Sequence, residues 1–125
     1  MKILVVDDEP DIRLIVRLSL QKQGVAVVEA ATGADGVSAA RGERPDAILL
    51  DVMMPQMDGP STLDALRGDA ATRDIPVIFL TAKAQRTEIE RLRGLGALGV
   101  LTKPFDPITL ADDVRLLLAG PAGED

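Results

Sequence analysis

Five short apolar runs divide this chain at regular intervals, and four of them end in polar residues of the same few types. These endings are Asp7–Asp8, Asp51, Thr81 and Thr102–Lys103. Segments of helical character separate the runs, an alternation that predicts repeated βαβ units around a parallel sheet. The carboxyl ends of parallel strands share one edge of a sheet, so we expect these polar residues to meet there.

The pattern predicts an α/β fold, a doubly wound, flavodoxin-like sheet of five parallel strands in the order 2-1-3-4-5 with five helices. The predicted strands lie near Lys2–Val6, Val25–Glu29, Ala47–Leu50, Val77–Leu80 and Ala97–Leu101. The first, third and fourth are apolar almost throughout, which is typical of central strands covered on both faces. In this order the ligand crevice lies between strands one and three, and these strands end in the aspartates.

The first helix is expected to begin after Asp8-Glu9-Pro10-Asp11 and to end at Gly24, because proline and acids suit a first turn and glycine suits a helix end. Its predicted sheet-facing stripe consists of Ile12, Ile15, Val16, Ser19 and Leu20. Leu14 and Leu18 lie off this stripe, and the sequence leaves open whether they pack inside or form a contact surface. Helices two and three are expected near Gly33–Arg41 and Gly59–Arg67, with a loop over Gly68–Ile75.

Helix four, near Ala84–Arg93, offers only Ile89 and Leu92 as large apolar anchors. Few buried contacts imply a low free energy of local opening, so we expect helix four to be the mobile element of the fold. Helix five is expected to have Asp106 as its N-cap and Pro107 as its first residue. Its predicted inner face consists of Leu110, Val114 and Leu117.

Composition limits the class of protein. The 125 residues fit one domain, and we predict a domain over 1–119 with a flexible tail or linker stub over 120–125. The chain has no cysteine, which excludes a disulfide scaffold and thiolate metal sites. We find no signal peptide and no run of membrane-spanning length, so the expected location is cytoplasmic, without a membrane partner. The net charge of −6 has the wrong sign for direct binding of nucleic acid.

The acidic residues at the predicted sheet edge suit a divalent metal ion and a phosphoryl group. Two carboxylates about 4 Å apart repel by about 4 kcal/mol at an effective dielectric constant of about 20, so a cluster of them needs compensation. Mg²⁺ prefers such oxygen ligands, and Lys103 adds positive charge. The carboxylate of Asp51 can act as a nucleophile towards phosphorus, with the metal, Thr81 and Lys103 each taking one phosphoryl oxygen. The chain has no histidine, so any phosphohistidine must belong to a partner.

Each of these residues also has an ordinary structural interpretation. Asp7–Asp8 could cap the first helix, Asp51 could stand in a turn, Thr81 could be an N-cap, and Lys103 could be a solvated charge. Any one of them alone carries little weight. Their joint occurrence at one predicted sheet edge favours a functional site.

Four motifs surround these residues: Val5-Val6-Asp7-Asp8-Glu9-Pro10, Leu49-Leu50-Asp51-Val52-Met53-Met54-Pro55 with Met57-Asp58-Gly59, Leu80-Thr81-Ala82, and Leu101-Thr102-Lys103-Pro104-Phe105. In their order and spacing they resemble those of response-regulator receiver domains of two-component signalling. The likeness covers essentially the whole chain. The acid pair, the central aspartate, the threonine and the Lys-Pro pair together form a highly specific signature.

The resemblance implies a phospho-acceptor switch in which Asp51 receives a phosphoryl group from a histidine kinase or a histidine phosphotransfer protein. It implies that Asp8, Asp51 and the Met53 backbone carbonyl bind Mg²⁺ or Mn²⁺, and that Asp7 helps through water. No substrate turnover is implied beyond assistance to the domain's own phosphotransfer and dephosphorylation.

The resemblance also implies that Thr81 and Lys103 bind phosphoryl oxygens and that the bond between Lys103 and Pro104 is cis. Phosphorylation is then expected to change the binding of a downstream protein or output domain through the face of helix four, strand five and helix five. The implied assembly is a monomer or a phosphorylation-dependent dimer.

One position departs from the family pattern. Many members carry tyrosine or phenylalanine on strand five as a rotamer switch, whereas this chain has Val100. Valine cannot swing a ring between buried and exposed states. We therefore expect signalling to rely on Thr81, which draws the loop after strand four inward and shifts helix four.

Two other functions fit a similar fold. A phosphohydrolase that turns over an aspartyl phosphate usually needs a second carboxylate two residues after the nucleophile, and Met53 occupies that place. A flavodoxin-like cofactor binder needs aromatic residues to stack a flavin, and this chain has neither tryptophan nor tyrosine. Steady phosphate release from simple esters would favour the first, and a coloured preparation the second.

Overall fold

The fold is a parallel sheet between two layers of helices. The computed structural model describes residues 1–120, which form one five-stranded sheet in the order β2-β1-β3-β4-β5. The strands are β1 (Lys2–Val6), β2 (Ala26–Ala30), β3 (Ala47–Asp51), β4 (Val77–Thr81) and β5 (Gly99–Thr102). The helices are α1 (Pro10–Lys22), α2 (Gly33–Glu43), α3 (Gly59–Arg67), α4 (Arg86–Gly94) and α5 (Leu110–Ala119). The predicted fold class, strand order and helices are confirmed.

The central strands are buried on both faces, as their continuous apolar sequences predict. Every residue of β3 and β4 is buried, whereas the edge strand β2 is only partly covered. Alternate strand residues feed two apolar clusters, one beneath α1 and α5 and the other beneath α2, α3 and α4. None of the helices in residues 1–120 has the length and apolar character needed to span a bilayer.

Helix α1 begins at Pro10, slightly before the predicted start, so Pro10 and Asp11 belong to its first turn. Gly24 follows its end with a positive φ of 80°. One part of the predicted stripe is wrong, because Ile15 is 39% exposed instead of facing the sheet. The segment before α5 packs beside α1, where the Ser19 hydroxyl donates a hydrogen bond to the Pro107 carbonyl. Ile15 and Leu18 therefore lie at the rim of a groove between this segment and α1. Leu14 and Leu18, left open by the sequence, are both exposed.

Helix α5 begins three residues later than predicted, at Leu110, and its N-cap is Thr109. The Asp106 carboxylate accepts a hydrogen bond from the backbone N–H of Ile108 at 2.9 Å, so it closes a separate turn before the helix. The predicted inner face is correct: Leu110 and Val114 are buried, and Leu117 is half-buried.

Helix α4 is anchored as weakly as its sequence suggests. Leu92 is its single buried residue, and Ile89 is half-buried. Ion pairs join Arg86 to Glu90 and Arg91 to Glu88 within the helix, and both arginines and Glu90 are exposed. Such exposed pairs add little stability, so the expectation of a low local opening energy stands.

The connection from β3 to α3 is tight because α3 starts directly against the end of β3. The Asp58 carboxylate caps α3 by accepting a hydrogen bond from the Ser61 N–H at 2.9 Å. The Gly59 N–H donates to the Val52 carbonyl at 2.9 Å. A Cβ atom at Gly59 would lie 2.5 Å from the Asp51 carbonyl oxygen and 2.9 Å from the Val52 Cα, both of which are backbone atoms. Glycine is therefore required by this close approach.

We predict that Gly59→Ala lowers the free energy of unfolding by about 1 to 3 kcal/mol, because backbone and not a flexible side chain must move to admit the methyl group. Urea unfolding followed by far-UV circular dichroism measures this, since the chain lacks tryptophan and tyrosine. Gly42→Ala in α2 is the matched control. Its Cβ would meet nothing within 4 Å, so a gain of about 0.5 to 1 kcal/mol is expected. A Gly59→Ala variant as stable as wild type would contradict the prediction.

Candidate functional site

The carboxyl ends of four strands bring the predicted site residues to one edge of the sheet. The pairing register sets Val6 beside Leu50, so the residues that follow, Asp7 and Asp51, lie next to each other. On the other side, Thr81 pairs with Thr102, the residue before Lys103. Positions far apart in sequence thus meet because the strands are in register.

Three carboxylates form the floor of this site. Asp7, Asp8 and Asp51 each offer an oxygen within 4.8 Å of the others. Asp7 is fully buried and Asp51 is 4% exposed, whereas Asp8 faces solvent. A set of hard oxygen donors that is open on one side fits Mg²⁺, which keeps several water ligands. The donor chemistry of these residues therefore suits the predicted ion.

The Lys103 ammonium lies among the carboxylates. Its Nζ is 2.9 Å from Asp7 Oδ2, 3.2 Å from Asp51 Oδ1 and 3.4 Å from Glu9 Oε1. The Lys103 side chain is only 12% exposed. An ammonium group has three N–H donors, and here each has a carboxylate within reach. The peptide bond between Lys103 and Pro104 is cis.

Two contacts in this region were not among the predicted site residues. Glu9 is the third carboxylate beside Lys103. Its position directly after the acid pair was the one feature of the sequence that could have predicted this contact. Arg13 donates a hydrogen bond from Nη1 to the Asp7 carbonyl at 2.7 Å and another from Nε to Glu29 at 3.2 Å. Arg13 lies one turn into α1, so helix periodicity alone did not distinguish it from a solvated charge. It ties the β1–α1 connection to β2.

Burial, and after it the negative charge of Asp7, raise the pKa of Asp51 to about 6, although the charge and the hydrogen bond of Lys103 act to lower it. Burial also opposes the charge on Lys103, but its hydrogen bonds and charge interactions with Asp7 and Asp51 outweigh this, so its pKa is raised. The site therefore combines a firmly protonated lysine with an aspartate that is costly to ionise. An added divalent cation would relieve that cost.

Thr81 and Met53 border this pocket. Thr81 is buried, and its Oγ1 accepts a hydrogen bond from the Lys83 N–H at 3.0 Å. The Met53 N–H lies 3.4 Å from Asp51 Oδ1, and the Met53 side chain is 68% exposed at the edge of the site. Val100 is not in the pocket. It is half-buried, pairs with Phe79 of β4 and packs against the cluster beneath α2, α3 and α4.

We predict that Asp51→Asn stabilises the metal-free protein at neutral pH. The folded pKa of about 6 lies above the unfolded value near 3.8, so the stability that protonated Asp51 contributes is complete below pH 3.8 and is lost as the pH rises through 6. Asparagine removes this loss, and Lys103 keeps its contact with Asp7. The two-unit shift corresponds to about 3 kcal/mol at most, which solvent at the pocket mouth reduces to about 1 to 2 kcal/mol.

Urea unfolding in EDTA at pH 4, 5, 6 and 7 measures this difference. The stability gain of Asp51→Asn over wild type is expected to grow with pH and to level off above pH 6. Neutralising the exposed Asp74 with Asn changes the net charge equally and serves as the control. A gain that stays constant across the range, or one that Asp74→Asn reproduces, would contradict the prediction.

Comparison with known proteins agrees with this geometry. The family model described as response regulator receiver domain matches residues 3–115. Protein PilH of Pseudomonas aeruginosa is 41% identical over 119 residues, which cover 95% of this chain and 98% of PilH. The DNA-binding dual master transcriptional regulator RpaA of Synechocystis is 40% identical over 94% of this chain and 48% of its own length. This chain thus spans nearly all of one relative and about half of another.

Solved structures give the same result. The chemotaxis response regulator CheY4 of Vibrio cholerae superposes with a TM-score of 0.86 at 34% identity, over 93% of this chain and 97% of CheY4. The signal receiver domain of a signal transduction histidine kinase from Syntrophus aciditrophicus gives a TM-score of 0.82 at 34% identity, over 96% of this chain and 91% of that one. The chain therefore belongs to the response regulator receiver domain family of two-component signalling, whose members are phosphorylatable signalling switches.

Proposed function

We propose that Asp51 is the phosphoacceptor of this receiver domain and that it takes its phosphoryl group from the phosphohistidine of a histidine kinase or a histidine phosphotransfer protein. The observation that carries this proposal is the convergence on Asp51 of two further carboxylates and the Lys103 ammonium, 3.2 Å away. The chain has no histidine, so the donor must be another protein or a small phosphodonor.

Asp51 has the properties of an acceptor. With a pKa of about 6 it is mainly ionised at neutral pH, so an Oδ atom can attack phosphorus without a base to remove a proton. The new O–P bond forms as the bond from phosphorus to the donor nitrogen breaks. Lys103 already contacts Asp51 Oδ1, so its ammonium needs to move little to bind a phosphoryl oxygen.

We propose that Asp8, Asp51 and the Met53 carbonyl bind Mg²⁺ or Mn²⁺, with Asp7 acting through water. When bound, the ion would supply charge neutralisation for the phosphoryl oxygens. Asp7 has a second task, because its buried carboxylate also holds Lys103 at 2.9 Å. We propose no turnover of a separate substrate, in keeping with receiver domains as signalling domains.

The switch is proposed to run from Thr81 to α4. The Thr81 hydroxyl now accepts a hydrogen bond from the Lys83 N–H, and it would reorient to bind a phosphoryl oxygen. That movement draws the β4–α4 connection inward, and α4 can follow because Leu92 is its one buried anchor. No aromatic ring takes part, since Val100 stands at that position of β5. To shift the domain from mostly inactive to mostly active, the phosphoryl group must stabilise the active conformation over the inactive one by about 5.5 kcal/mol.

The partner face is proposed to be the surface of α4, β5 and α5. It carries exposed apolar side chains at Leu95, Leu98 and Leu116. RpaA is named as DNA-binding, and this chain covers 48% of its length. An output through another domain or a downstream protein is therefore a proposal here. The proposed assembly is a monomer or a phosphorylation-dependent dimer. The cytoplasmic location is likewise a prediction.

The domain division is likewise a proposal. We propose that residues 1–119 form the functional receiver unit, which includes the whole of α5. The predicted tail begins at Gly120, and residues 121–125 lie outside the described residues.

We predict that Asp51→Asn abolishes labelling by acetyl phosphate in the presence of Mg²⁺, because the amide is not a nucleophile of comparable strength. Intact-mass measurement detects the added phosphoryl group on wild type, and EDTA should prevent its appearance. Asp74→Asn, a charge-matched change outside the pocket, should label like wild type. Full labelling of Asp51→Asn would remove the central assignment. Steady release of phosphate from simple esters by wild type would instead favour a hydrolase.

We predict that Thr81→Ala uncouples phosphorylation from α4. Hydrogen exchange of residues 86–94 should change when wild type is phosphorylated and change much less in Thr81→Ala, because the variant has no hydroxyl to bind the phosphoryl oxygen. The comparison is made at equal extents of labelling, determined by intact mass, and α5 peptides serve as the internal reference. An unchanged response of α4 in Thr81→Ala would show that the signal takes another route.

A further inference from the structure

Glu9 is a carboxylate at the mouth of the site that the proposed phosphotransfer does not use. Its Oε1 lies 3.4 Å from Lys103 Nζ, and its side chain is 60% exposed. Its backbone N–H donates to Asp7 Oδ1 at 2.9 Å, which fixes the residue beside the acid pair. The side chain thus reaches a lysine 94 positions away in sequence.

The need to cap α1 does not explain this orientation. Glu9 is the N-cap residue of α1, with an extended backbone, yet its side chain makes no capping hydrogen bond. Aspartate, asparagine and serine are the preferred N-cap residues, because their short side chains reach the free N–H groups of the first turn. Glutamate is not among the preferred N-caps. The contact with Lys103 is therefore the interaction that the Glu9 carboxylate makes in place of a cap.

The three contacts of Lys103 are unequal. Asp7 is fully buried and lies closest, so its bond to the ammonium is well shielded from water. Asp51 is the residue that becomes modified in the proposed function. Glu9 is the exposed partner, and an exposed ion pair is weak enough to break readily. A phosphoryl group on Asp51 would compete with Glu9 for the N–H donors of the same ammonium.

We propose that Glu9 is a positioning residue that competes with the incoming phosphoryl group for Lys103 and thereby slows phosphorylation. This inference rests on the proposed function of Asp51 and Lys103. Glu9 acts through Lys103, because its carboxylate lies 3.4 Å from the ammonium and occupies one of its three N–H donors while the site is unmodified. Removing its charge frees the ammonium to meet the phosphoryl oxygens.

The test is the rate of labelling by acetyl phosphate at saturating Mg²⁺, followed by intact mass. Glu9→Gln, which keeps the shape of the side chain, is expected to label about two- to fivefold faster than wild type, the factor that corresponds to an exposed ion pair. The gain should shrink as ionic strength rises, because salt screens exposed charges. A change in the capping of α1 alone would not show this salt dependence.

Glu43→Gln is the matched control. Glu43 forms an exposed ion pair with Lys2 Nζ at 3.1 Å. Lys2 is the first residue of β1, so this pair lies at the amino ends of the strands, opposite the site. This variant changes the net charge equally and should label at the wild-type rate. An equal acceleration in Glu43→Gln would show a general charge effect and overturn the proposal.

A second comparison tests the route through Lys103. In a Lys103→Met background, Glu9→Gln is expected to give no acceleration, since the ammonium for which Glu9 competes is absent. An acceleration that persists there would mean that Glu9 repels the phosphodonor directly, and would overturn the proposal. If Lys103→Met does not label at all, the wild-type and Glu9→Gln rates are compared with phosphoramidate, which carries less negative charge than acetyl phosphate. Competition for Lys103 predicts the same acceleration with both phosphodonors, and a smaller acceleration with phosphoramidate would show direct repulsion and overturn the proposal.

Two further outcomes would overturn the inference. Slower labelling of Glu9→Gln would make Glu9 a support for Lys103 instead of a competitor, and a raised Mg²⁺ requirement would place it in the metal site. Failure of the inference is distinguishable from failure of the proposed function. If wild type labels on Asp51 but Glu9→Gln labels at the same rate, only the inference fails; if wild type does not label, the proposed function fails.

Discussion

The contact of the Lys103 ammonium with two buried carboxylates holds together the working edge of this domain. Asp7 and Asp51 end neighbouring strands and lie close enough to repel each other, and burial makes that repulsion costly. Lys103 approaches from β5, which is separated from β3 by β4, so a single cation joins three strand ends. Removing Lys103 would leave two buried carboxylates without compensation, which costs far more than the net worth of either pair.

Because the charges of the site are only partly compensated, the domain can fold and still gain free energy when the site binds a ligand. Lys103 compensates the acids only in part, because the pKa of Asp51 remains raised to about 6. In the proposed function, a divalent cation would relieve this residual cost, and so would a phosphoryl group on Asp51, whose charge would lie farther out, among the metal, the Thr81 hydroxyl and the Lys103 ammonium. A site whose resting state carries unfavourable energy gains more when its ligand arrives, and proteins keep such local costs where function needs them.

The strands and the position of the site could be predicted from sequence because both depend on local patterns. An apolar run that ends in Asp51 or Thr81 determines the strand, its end and the type of side chain at that end, and parallel topology does the rest. Ile15 and the start of α5 could not be predicted in the same way. Both depend on the segment before α5 packing against Ser19 of α1, a contact between distant parts of the chain. The reach of Glu9 to Lys103 likewise follows from tertiary structure.

Strand β5 has no aromatic side chain, but its backbone is hydrogen-bonded to β4. The Lys103 N–H donates to the Thr81 carbonyl at 2.7 Å, so the ends of β4 and β5 are joined directly beneath the pocket. In the proposed switch, a displacement of Thr81 towards a phosphoryl group would therefore pull on β5 as well as on the connection to α4. An aromatic rotamer switch would report that displacement through a cavity that opens and closes, whereas Val100 fills a constant volume beside Phe79. In this chain, α4 and β5 can be coupled through main-chain hydrogen bonds, which do not need an aromatic ring.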